Sequence, residues 1–147
     1  MGIMFGFLDK LQPLGLLVLR VGVGVIMIAH GGQKVFGGLH QHLEFVHQLG
    51  MPAWWGYLST ATEFLGGMLL IAGLFTRFVG LAMAIEMSVA IAKVHWHNGL
   101  NHPGGMDLPL AIAAGAFALI FFGAGEISLD WVFFRGKPGA RKYKGEK

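Results

Sequence analysis

The chain has no cysteine, only three serines and few charges, with 13% of its 147 residues being Asp, Glu, Lys or Arg. Without cysteine there are no thiolate metal sites, no cysteine-held iron–sulfur clusters, no disulfides and no dithiol relay. Any redox chemistry must therefore be borrowed from a bound molecule or a partner. Nucleotide and nucleophile motifs are missing too: there is no G-x-x-x-x-G-K, no dinucleotide fingerprint and no G-x-S-x-G. What remains is apolar, with 54% hydrophobic residues and a mean hydropathy of +0.61. So little polar surface cannot cover a water-soluble globule of this size, and the solvent this composition implies is lipid.

Four apolar blocks, about 14–36, 54–75, 78–96 and 108–122, predict an all-α, integral membrane four-helix bundle. The first block starts after Pro13 and contains Arg20, His30, Gln33 and Lys34. An internal arginine, an apolar run longer than a signal core and the absence of a small-residue cleavage pattern read it as a retained span. The second opens on Trp54, Trp55 and Tyr57, aromatics that favour the headgroup layer, and carries Glu63; the third carries Glu86 and Lys93; the fourth has no charge after Asp107. Between the first two, Leu39, Leu43, Val46 and Leu49 recur at helical intervals with His40, Glu44 and His47 opposite. This predicts a short amphipathic interfacial helix lying flat on the outer membrane face, ended by Gly50 and Pro52. Small residues at helical spacing (Gly15 and Gly22; Gly66, Gly67 and Gly73; Ala111, Ala114, Gly115 and Ala118) predict close helix contacts.

Charge sets the expected orientation. Arg135, Lys137, Arg141, Lys142, Lys144 and Lys147 stand against Glu146 alone, so residues 1–135 read as one membrane domain and 136–147 as a basic cytoplasmic tail. Four spans then put both termini in the cytoplasm of a multi-pass inner-membrane protein. Such a tail reports topology and anionic lipid headgroups, and no nucleic-acid partner is expected.

An ionisable group deep in a bilayer needs a partner, a wet cavity or a task. Counting about 1.5 Å per residue, Glu63 lies roughly 12–14 Å below the outer surface and Glu86 near the bilayer centre. Arg20 lies roughly 9 Å from the inner boundary, where it either snorkels or pairs with a buried carboxylate. His30 and Lys34 share a face, Lys93, His95 and His97 end the third span, and Asp107 opens the fourth. The topology gathers these with Glu63 into an outer polar pocket, in which Glu63 and Asp107 hold Lys34 and Arg20 or accept a proton and the imidazoles relay protons. Helical rotation sets His95 about 200° from Lys93 and from His97, so not all three can point inward. His40, Glu44, His47, His97 and His102 are weak metal candidates without a tight ligand spacing, and no metal site is expected.

The ordered residues resemble the DoxX family of small four-span membrane proteins over most of the chain. The resemblance rests on Arg20, His30-Gly31 with Lys34 and Gly37, Glu63 before Gly66-Gly67, and the run Gly73-Leu74-Phe75-Thr76-Arg77. It continues with His95 and Asn98-Gly99, Gly104-Gly105 before Asp107, Gly123-Ala124-Gly125 and Ser128-Leu129-Asp130. Asp107 stands where the family more often has glutamate, and the bulky Trp96-His97 leaves His97 without a role to carry over. The resemblance implies a four-helix bundle and association with membrane redox assemblies, relatives forming the membrane subunit of thiosulfate:quinone oxidoreductase.

The leading expectation is a redox-associated inner-membrane subunit with no covalent cofactor, whose outer pocket binds a quinone or similar amphiphile beside lipids and partner subunits. It is either quinone-reactive within a membrane oxidoreductase or not catalytic at all. The rivals are a non-catalytic anchor or assembly partner, whose charges fix helix register, and a small oligomeric transporter.

Overall fold

A computed structural model of the protein describes residues 6–134, so the basic tail expected at 136–147 lies outside the described residues. Helices run in the order α1 (Gly6–Asp9), α2 (Gln12–Gln33), α3 (Leu39–Gln48), α4 (Ala53–Ala72), α5 (Thr76–Ala90), α6 (Asp107–Phe122) and α7 (Leu129–Phe134), with no strand among the described residues. A π-helical turn (Lys34–Gly38) joins α2 to α3, and a second (Ile91–His95) extends α5 into a short 3-10 turn (Trp96–Asn98). The four long helices α2, α4, α5 and α6 form the expected bundle, with α3 between the first two of them. Two continuous helical stretches, Gln12–Gln48 and Thr76–Asn98, are long and apolar enough to cross a bilayer, and Asp107–Phe122 is a shorter apolar helix.

The sequence explains where the helices stop. Proline at the start of α2 costs it no hydrogen bond, because the first helical amides have no intrahelical acceptor. Gly37, at φ +154°, breaks the first span and turns the chain into α3. At the end of α4, Gly73 adopts the left-handed conformation (φ +70°) while Leu74 N–H reaches back 2.9 Å to Leu69 O, closing the helix. Phe75 follows at φ +53°, held there by Asp130, whose carboxylate accepts from Phe75 N–H (2.7 Å) and Thr76 N–H (2.9 Å). One acidic side chain beyond α6 thus caps the start of α5.

The core joins Val23 and Met27 of α2, Leu70 of α4, Val79, Met83 and Met87 of α5, and Ile112, Ala116 and Leu119 of α6. Large apolar side chains also cover the outside, among them Val18, Leu65, Phe78 and Phe117, while Arg20, Glu63 and Glu86 are buried. An apolar exterior around buried charge inverts the pattern of a water-soluble protein.

Packing within the pairs α2–α4 and α5–α6 is more extensive than between them. Glycines make this possible. A Cβ on Gly67 would lie 2.8 Å from Gly24 O, one on Gly31 2.5 Å from Phe64 N, and one on Gly80 2.8 Å from Ala116 O. Gly15 and Gly22 were expected at such contacts, but a Cβ on either meets nothing within 4 Å; the contact face of α2 carries Gly24 and Gly31 instead. Gly67→Ala is therefore expected to cost about 1–3 kcal/mol by overpacking, while Gly22→Ala stays neutral or gains up to about 1 kcal/mol from helix propensity. Unfolding midpoints of the two variants in one detergent decide this, and equal midpoints would contradict the packing.

The amphipathic helix also departs from expectation. Leu43 and Val46 of α3 lie against Gly56 of α4, so its apolar stripe faces the bundle rather than the acyl layer. His40, Glu44 and His47 are exposed, and α3 roofs one end of the seam between the helix pairs.

Candidate functional site

Beneath α3, where the two pairs diverge, lies a cavity of about 590 Å³. Its apolar wall includes Met27, Phe45, Trp55, Met87, Leu108 and Ile112. Into it face His30 and Lys34 from the end of α2, His42 from α3, Ser59 and Glu63 from α4, Glu86, Lys93 and His95 from α5 and its π-helical extension, and Asp107 from α6. Six of the expected pocket residues, His30, Lys34, Glu63, Lys93, His95 and Asp107, thus line one space.

Its polar centre is Lys34. The ammonium donates to Glu63 Oε1 at 2.6 Å and lies equally close, 2.6 Å, to Oε2, out of hydrogen-bonding alignment with it. Glu63 is buried, and the buried carboxyl group of Glu86 lies beside it on the same cavity, close enough to act on it electrostatically. Two carboxyl groups that share a buried site with a single ammonium do not both ionise. Lys34, Glu63 and Glu86 therefore make a cluster in which one ammonium balances one carboxylate and a second carboxyl holds an exchangeable proton.

The imidazoles divide by partner. His30 donates from Nδ1 to Ile26 O (2.9 Å) on its own helix, and His95 from Nδ1 to Gly104 O (2.6 Å), an acceptor shared with Asn98 Nδ2. Carbonyl acceptors fix both rings with the proton on Nδ1 when neutral. His42 instead has its Nε2 2.8 Å from Ser59 Oγ, whose other partner is Gly56 O at 3.1 Å. Burial, then the Lys34 ammonium, hold the His42 imidazole below its ordinary value, against an opposing pull from Glu63.

Three placements differ from the sequence reading. Arg20 does not snorkel and does not reach the cavity. It is fully buried, donates to Ile127 O beyond α6, and its nearest opposite charge is Asp130 rather than Glu63 or Asp107. The register of α2 sets this, since Arg20 falls ten residues before His30, almost three turns and about 15 Å away along the axis. Lys93 and His95 both line the cavity although a regular helix would set them about 200° apart. They lie in the π-helical turn Ile91–His95, where α5 gives way to the short 3-10 turn, and His97 beyond it is left exposed. Glu86, for which the sequence reading names no partner near the bilayer centre, lines the cavity beside Glu63.

Sequence reasoning passed over His42 and Ser59. Ser59 lies one turn before Glu63 on the same face of α4, a spacing that could have marked it. Nothing in the sequence alone aims His42 inward. His40, Glu44, His47, His97 and His102 are all exposed, and among the described residues no group of three or more His, Asp or Glu is disposed to hold a metal ion. A second cavity, about 870 Å³, lies at the opposite end against Lys10, Thr76, Arg77, Glu126 and Asp130; Arg77 there is tied to Ile120 O (2.6 Å) and Asp130 to the α5 amides. Arg77 and Asp130 there serve helix termini, and the cavity under α3, with its buried Lys34–Glu63 pair, is the candidate site.

Comparison with known proteins agrees with this architecture. Residues 15–96 match the DoxX family. "Putative oxidoreductase CatD" of Bacillus subtilis is 32% identical over 132 residues, covering 88% of this chain and 95% of the relative. An uncharacterized Haemophilus influenzae protein is 33% identical over 142 residues (88% and 92% coverage), and "Inner membrane protein YqjF" of Escherichia coli 28% over 127 residues (84% and 95%). No solved structure matches the chain.

Proposed function

This chain belongs to the DoxX family of membrane proteins, and from that premise we propose that it is a redox-associated inner-membrane subunit whose cavity under α3 binds a quinone or a similar amphiphile. The observation that carries the reading is the Lys34–Glu63–Glu86 cluster on a largely apolar cavity lined in part by α3. On this reading all four long helices span the bilayer with both termini in the cytoplasm, and α3 marks the outer face. An amphiphile enters such a space from lipid, and its polar head needs groups able to donate, accept and exchange a proton.

The residues suit that head. Lys34 is the charged donor, the Glu63–Glu86 pair supplies or takes back one proton, and His30 and His95 offer Nε2 as acceptors. Met27, Trp55 and Ile112 exclude bulk water around them. A quinone, when bound, supplies acceptance of two electrons and two protons. This chain contains no electron carrier, so a partner subunit delivers the electrons. The rival reading, a non-catalytic anchor, draws on Arg20, which ties α2 to the segment after α6, and on Asp130, which ties α7 to the α4–α5 turn, neither lining the cavity under α3.

Purification in mild detergent followed by extraction of bound lipophiles tests the proposal. The wild type is expected to retain a quinone at near-stoichiometric level, and Glu63→Gln to retain about tenfold less or lower, in line with loss of a hydrogen-bonded charge. Absence of any specific quinone or amphiphile from the wild type would leave the anchor reading in its place.

A further inference from the structure

Three imidazoles line the cavity, and only one is wired to pass a proton. An imidazole relays a proton by taking it on one nitrogen and releasing it from the other, so its partners must tolerate both tautomers. His30 and His95 fail this condition. Their Nδ1–H groups point at Ile26 O and Gly104 O, carbonyls with no proton to return. His42 meets it, because Ser59 Oγ both donates and accepts. The serine hydrogen has two acceptors in reach, Gly56 O (3.1 Å) and His42 Nε2 (2.8 Å), and rotating it between them matches the two tautomers of the ring.

Position adds to partner. Ser59 precedes Glu63 by one helical turn, and helical side chains lean toward the N-terminus, so Glu63 reaches up the face that carries Ser59. His42 on α3 lines the cavity and is only half-buried, so part of its surface stays exposed. The groups around it are Lys34 below α3, Glu63 on α4, Glu86, Lys93 and His95 on α5 and its extension, and Asp107 on α6. Glu63 and Lys34 are the ones that act on it electrostatically.

We propose that His42, with Ser59, is the proton conduit between the Glu63–Glu86 pair and the membrane surface on the α3 side. The carboxyl O–H of the pair breaks as its proton passes through cavity water to one ring nitrogen, and the other nitrogen releases its proton outward. The reverse sequence reloads the pair, and no electron moves. This deepens the reading of the cavity as a proton-exchanging ligand site and rests on it, but it is tested without any ligand.

The experiment is infrared spectroscopy of the purified, delipidated protein in detergent, following the protonated-carboxyl band after rapid dilution into D2O. Loss of the band in Glu86→Gln or Glu63→Gln assigns it to the pair. Wild type is expected to exchange rapidly. His42→Ala is expected to slow exchange by about a hundredfold, the low end of what a positioned acid–base group contributes. Added imidazole should restore much of the rate, which a merely structural role of His42 would not allow. Ser59→Ala, a smaller change to the fold, should slow exchange about tenfold or more. An absent carboxyl band, or exchange as fast in both variants as in wild type, would overturn the proposal, as would slow exchange that imidazole leaves unchanged. A protein that fails to hold quinone yet shows His42-dependent exchange loses the ligand reading and keeps the conduit, so the two failures are distinct.

Discussion

Lys34→Met is expected to lower the unfolding free energy of the protein by about 3–5 kcal/mol, the range for removing one partner of a buried ion pair. The Lys34 side chain is 21% exposed and that of Glu63 8%, so the carboxylate cannot turn to water when its ammonium is removed. The loss is compounded by Glu86, a second buried carboxyl beside Glu63. Without Lys34 the site holds two acids and no adjacent ammonium. The double variant Lys34→Met/Glu63→Gln should recover most of the loss, because it removes the stranded charge along with its partner. A double-mutant cycle of unfolding midpoints measures this, and strictly additive losses would show that the pair does not stabilise the fold. His30→Ala, by contrast, removes an exposed bond within α2 and should change stability by less than about 0.5 kcal/mol.

Gly73→Ala is the second large effect, expected to cost on the order of 2–6 kcal/mol. Two penalties meet at this position. The backbone sits at φ +70°, which a Cβ disfavours, and the added methyl would strike the Arg20 guanidinium and the Ser128 side chain. Gly73 also accepts Asp130 N–H at 2.8 Å, so displacing it disturbs the carboxylate that caps α5. Because the guanidinium is the obstacle, Gly73→Ala and Arg20→Met should be non-additive by more than about 0.5 kcal/mol. Independent effects on the melting midpoint would contradict the contact.

How far the sequence reaches can be judged residue by residue. Hydropathy and the apolar blocks located the four long helices because burial in lipid is dictated by composition over whole turns. The pocket around Lys34 and Glu63 was legible for a related reason: ionisable groups in apolar segments are costly to strand, and short connectors left them few places to gather. What could not be read was rotation about the helix axis. Lys93 and His95 both line the cavity where α5 leaves regular helix at Ile91–His95, and no residue pattern there announces that irregular turn. Arg20 was misassigned because a buried guanidinium can donate to a distant carbonyl, Ile127 O, as well as to a carboxylate. The contact glycines of α2 were misread for want of a partner: Gly22 and Gly24 look alike until the neighbouring helix is in place.

The division of the bundle into the pairs α2–α4 and α5–α6 has a consequence for how the protein is made. Each pair is built from near neighbours in the chain, and the Lys34–Glu63 bridge lies wholly within the earlier pair. That half is complete before the ribosome has finished the later one, since domains fold from the amino-terminal side during synthesis. Glu86 arrives with the second half, so the second buried carboxyl joins the bridge only when the halves dock. A nascent chain stalled after α4 would already carry its ion pair and still have nothing to hand it a proton.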